Sequence, residues 1–103
     1  MHTIKCVLKD MAHNVSEARD KIHKAHRMHD GNRTVADWQR DMAKTHLEFN
    51  TKINDAAAKM MADAATYHAG DHKALGMLEA YKEWHADIIE DAAEVMAMIA
   101  AYK

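Results

Sequence analysis

Apolar residues recur at intervals of three and four along almost the whole chain, which is the period of α-helices and not of strands. The first stripe is Ile4, Val7, Met11, Val15, Ala18, Ile22 and Ala25. The second is Val35, Trp38, Met42, Phe49, Ile53, Ala56, Met60 and Tyr67, and the third is Met77, Tyr81, Trp84, Ile88, Ala92, Val95, Ile99 and Tyr102. Between them stand two breaks, Asp30-Gly31-Asn32 and Ala69-Gly70-Asp71, and there is no proline anywhere. The pattern predicts helices over about 3–29, 35–69 and 72–102.

The ends of these segments carry their own signals. Gly31 is expected to take the left-handed conformation that closes a helix. Thr34-Val35-Ala36-Asp37 reads as a capping box, with Thr34 as the cap and Asp37 reaching back to it. Asp71, directly after Gly70, is a good N-cap for the third helix. Gly76 falls in that helix's second turn, where it either permits close packing or frays the helix. Two tight turns between three long helices predict an all-α, elongated, antiparallel up-down-up bundle, a single domain over residues 1–103. The uninterrupted middle helix is expected to run ~50 Å at 1.5 Å per residue.

Composition makes the core thin. The chain has 20 Ala and 9 Met but only 4 Leu, 6 Ile, 4 Val and 1 Phe. Alanine lets helices approach closely, yet it buries little area at ~25 cal/mol per Å². Such a bundle is expected to oligomerise or to gain stability from a ligand. Leu47, Leu75 and Ile89 fall off the three stripes, as do Met28, Met61 and Met98. They predict a second, weaker apolar face suited to a larger helical oligomer. The monomer and the paired bundle both stay open at this stage.

Charge excludes some partners. Fourteen Lys and Arg against sixteen Asp and Glu give −2, interspersed with no basic stripe, so nucleic acid is not an expected partner. No run of 18 apolar residues is present, so no membrane span is expected. A short polar start and a single cysteine, Cys6, point to the cytoplasm.

Nine histidines are the chemical surplus. His23, His26 and His29 recur every third residue at the end of the first helix, with Asp30 four residues after His26. Residues three and four apart share a helix face and can share a metal. By angular position His26 and His29 point into the apolar stripe. The same residues also suit a helix C-terminus, where imidazolium meets the negative end of the dipole. His68, Asp71 and His72 form a second group around the second turn. His46 and His85 lie at stripe edges. The topology places them ~13 Å apart along the bundle and puts His26 and His29 at the opposite end from His68 and His72. A four-ligand cluster of the haemerythrin kind is therefore not expected within one chain. Zinc or another divalent transition metal would be held across a subunit interface by His23, His26, His29, Asp30, His68, Asp71 or His72. Protonating all nine imidazoles would carry the formal charge from −2 to +7. Histidines on an apolar stripe predict loss of stability between pH ~6.5 and 5.

The remaining chemistry is sparse. There is one serine, Ser16, no Cys-x-x-Cys and no Gly-rich phosphate loop. Glu17-Ala18-Arg19-Asp20-Lys21-Ile22 with Ala25, Asp30-Gly31 and His68-Ala69-Gly70-Asp71-His72 resembles the lactose/cellobiose-type IIA phosphocarriers, which are three-helix trimers. The resemblance implies His68 as phosphoryl site and Asp71 as metal ligand. Gly70 stands where that family has Gln, and the loop before the motif is absent. Met42-x-Lys44-x-His46-x-x-Phe49 with Trp84 resembles two helices of a spectrin-type repeat, which implies an elongated three-helix shape. The sequence thus predicts a small binding protein rather than an enzyme, associating with itself or with another protein. Interfacial metal binding and phosphoryl carriage on His68 are the alternatives.

Overall fold

The computed structural model describes all residues from Met1 to Lys103. Three helices account for nearly the whole chain: α1 over His2–Met28, α2 over Arg33–Tyr67 and α3 over His72–Ala100. They form an up-down-up bundle measuring 58 × 17 × 16 Å. No helix is long and apolar enough to cross a membrane. α1 packs most intimately against α2, while α3 touches both more sparsely.

The helix ends partly follow the turn chemistry. Asp71 caps α3, its Oδ1 accepting from the backbone N–H of Lys73 at 3.1 Å and of Ala74 at 3.2 Å. Gly70 is the one residue with positive φ, +89°, a backbone that glycine adopts without a Cβ penalty. The first turn is built otherwise. Gly31 is not left-handed; the N–H groups of Gly31 and Asn32 both close onto Met28 O, at 3.1 and 2.7 Å. The cap of α2 is Asn32 and not Thr34, with Asn32 Oδ1 accepting from Val35 N at 3.2 Å. Asp37 does not reach back to a cap, because Arg33 and Tyr102 hold its carboxylate with charge-assisted bonds.

The core consists of sixteen buried apolar residues, five of them alanine. α1 supplies bulk through Ile4, Leu8, Met11, Val15 and Ile22. α2 supplies Ala36, Ala43, Leu47, Ala57 and Met61, and α3 supplies Leu78, Ile88 and Val95, with Tyr102 beyond its end. The stripe expected on α1 is therefore buried, with Leu8 added and Val7 only half-buried.

The stripe expected on α2 is not the core face. Trp38, Phe49 and Tyr67 are 55, 60 and 85 % exposed. Their places in the core are taken by residues one or two positions along the helix, Leu47 and Met61 among them, so these two are core and not a secondary face. The reason is steric: α1 fills the space between the helices with large side chains, and close approach then demands small ones on α2. On α3 the expectation holds for Ile88, Val95 and Tyr102. Tyr81, Trp84, Ala92 and Ile99 are half-buried, and Met77 is 44 % exposed. Gly76 faces open space, with nothing within 4 Å of where a Cβ would sit, so it mediates no close packing.

Candidate interaction surface

α2 carries two apolar seams side by side. Its inner seam is the core just described. The outer seam, Val35, Met42, Phe49, Ile53, Ala56, Met60 and Tyr67, lies about a quarter-turn round the helix at 100° per residue, half-buried or exposed throughout. It overlooks the junction with α1. There Phe49, Ile53, Ala56 and Met60 join Val7, Asp10, His13 and Asn14 around a shallow groove of about 400 Å³. A second groove, about 500 Å³, lies between α2 and α3 beside Leu47, Met96 and Ile99, with Arg40, Lys44 and Glu48 on its rim. Met96 and Ile89, 57 and 43 % exposed, extend this second surface.

Polar groups inside the bundle are few. His85 is buried on α3, and its Nε2 lies 2.7 Å from Asn54 Oδ1, so the ring donates to the amide oxygen. Burial holds the His85 imidazole below its usual titration range. Gln39 Oε1 and Asn50 Oδ1 are buried acceptors with no partner.

The histidines expected as ligands do not gather. His23 and His72 are exposed. His26 Nε2 donates to Met98 O at 3.1 Å. His29 Nδ1 donates to Asp30 Oδ1 at 2.9 Å, while its Nε2 is buried without a partner. Neither ring sinks into the apolar core as the angular reading expected: His26 is exposed and His29 half-buried, and both stand edge-on to Tyr102, centroids 5.6 and 5.3 Å away. His68 is half-buried at the end of α2 with its ring edge-on to Tyr67 at 4.9 Å. The Asp71 carboxylate is engaged in capping. No three His, Cys, Asp or Glu side chains of one chain converge on a point where a metal ion would sit. His23, His26, His29 and Asp30 belong to one end of the bundle; His68, Asp71 and His72 belong to the other.

What assembles at the first end is a clasp around Tyr102, which sequence spacing alone did not reveal. Its side chain is buried, its hydroxyl donates to Asp37, and Arg33 and Arg40 lie 5.7 and 5.1 Å from the ring centroid. Arg33 also donates to the backbone carbonyl of Lys103. The Tyr102 hydroxyl and the Arg33 guanidinium hold Asp37 below the usual carboxylate range. Desolvation, then the Asp37 bond, pushes the Tyr102 phenol up. This network ties the end of α1, the start of α2 and the end of α3 together. It is saturated by its own members, which suits a structural joint.

No protein-family model, no curated protein and no solved structure matches this chain.

Proposed function

We propose that this protein is a helical binding module that acts by self-association and carries no catalytic site. The observation that supports this reading is the outer seam of α2, an apolar row on which Phe49 and Tyr67 stand 60 and 85 % exposed and Val35, Met42, Ile53 and Met60 are only half-buried. Contiguous exposed apolar surface on a small bundle marks an association site more often than scattered hydrophobes do. The thin, alanine-rich core adds a reason for the chain to bury more surface through a partner.

The test is molar mass by light scattering on a sizing column, with and without chelator and with added zinc. The expected result is a fixed oligomer, indifferent to chelator, that Phe49→Glu dissociates while the fold stays helical. An assembly that forms only with zinc would instead make the terminal histidines interfacial ligands. A trimer labelled by an upstream phosphate donor, with the label lost in His68→Ala, would favour phosphoryl carriage. A strict monomer at high concentration overturns the proposal.

A further inference from the structure

The outer seam of α2 has an internal symmetry, and from it we infer that the partner is a second copy of the same helix, lying antiparallel with its two-fold axis at Thr51. This rests on the reading of the protein as a self-associating module. The seam follows the 4-3 spacing of a heptad through Val35, Met42, His46, Phe49, Ile53, Ala56, Met60, Asp63 and Tyr67, with one gap at position 39, where Gln39 is turned into the bundle. Sustained spacing of this kind on a face at the edge of the core, only half-covered by α1, is the sequence signature of a further helix lying nearly alongside.

Reversing the helix about Thr51 sets position 35 opposite 67, 42 opposite 60, 49 opposite 53 and 46 opposite 56. Any regular heptad is symmetric in its spacing; the side chains here are matched as well. Val35 meets Tyr67, Met42 meets Met60, and Phe49 meets Ile53, so apolar faces apolar at both ends and at the centre. Ala56, small, faces His46. The one acid in the seam, Asp63, is exposed and falls opposite position 39, where the other copy presents no acid. A parallel pair would instead stack each residue on itself and bring Asp63 against Asp63, like charges in register.

The length suffices. Thirty-five residues give a contact ~50 Å long, and with a helix ~10–12 Å across each copy covers about 500–600 Å². Both copies together reach the ~1,000 Å² that a specific interface needs. The same register brings the His29–Asp30 end of one copy level with the His68–His72 turn of the other, two groups that lie at opposite ends within one chain.

The experiment uses the full chain with Cys6→Ser, since Cys6 is a free, exposed thiol. Val35→Cys and Tyr67→Cys chains are oxidised separately and mixed, then run on a non-reducing gel. Disulfides require Cα atoms within ~7 Å, so only a near-facing pair closes. Antiparallel pairing gives covalent dimer in the mixture at least tenfold above either variant alone. Covalent dimer from Val35→Cys alone means a parallel pair and overturns the inference. An oligomer by light scattering with no cross-link from any of these means another interface, such as the α2–α3 groove; the inference fails while self-association stands. A monomer overturns both. Spin labels on Thr34→Cys, an exposed position, provide an independent reading. Antiparallel copies place the two labels ~50 Å apart, and a parallel pair brings them within ~20 Å.

Discussion

His85 is a neutral imidazole built into the bundle, and protons act on it directly. Because burial lowers its affinity for a proton in the folded state, the unfolded chain takes up that proton first as pH falls. The stabilisation from the neutral, Asn54-bonded ring is present above pH ~6.5 and is lost as pH drops from there toward the lowered folded value. Thermal midpoints by circular dichroism are expected to fall between pH 7 and 5, with His85→Gln flattening the slope. The glycines separate in the same way by local physics. Gly76 faces open space inside a helix, so Gly76→Ala is expected to stabilise by ~0.5–1 kcal/mol in a denaturant melt. Gly70 has φ +89°, where any Cβ is strained whatever the space, so Gly70→Ala is expected to destabilise by about 1 kcal/mol or more.

At the scale of the helix, α2 explains what the sequence disclosed and what it concealed. Three helices, their approximate ends and the Asp71 cap follow from local chemistry: period, glycine, and a side chain that satisfies two backbone N–H groups. The α1 face is legible for the same reason, since one continuous row of large residues has no competitor. α2 has two competing rows. The bulkier one, with Trp38 and Phe49, looks like the core when hydrophobicity is weighed residue by residue. Packing selects the row with Ala36, Ala43 and Ala57, because what α1 leaves between the helices is narrow. That choice depends on the partner helix and cannot be read from α2 alone. The clasp was hidden similarly: Asp37, Arg33 and Tyr102 come together across 65 to 70 positions of sequence. The two faces of α2 respond oppositely to truncation. Leu47→Ala, inside the core, is expected to cost ~2–4 kcal/mol in chemical unfolding. Phe49→Ala, 60 % exposed, is expected to stay within about 1 kcal/mol for the isolated chain and to weaken association instead, as dilution series by light scattering will show.

Taken whole, the molecule is a rod, and its proportions govern how it must be measured. A compact chain of this length has a radius of gyration of ~13 Å. The bundle has 16.6 Å over a long axis of 58 Å. A rod of this kind experiences more friction than a sphere of equal mass. One copy of 11.7 kDa therefore leaves a sizing column early, near the place of a larger globule. Elution volume calibrated on spherical standards would count a monomer as an assembly, and side-by-side pairing would partly hide itself by thickening the rod without lengthening it. Rotational diffusion separates the cases. Tumbling about the long axis and tumbling end over end proceed at different rates in the single rod, and NMR relaxation along α1, α2 and α3 reports the slow end-over-end motion because all three helices lie close to that axis. Antiparallel pairing leaves that axis almost unchanged and slows the spin about it, so anisotropy falls while mass doubles.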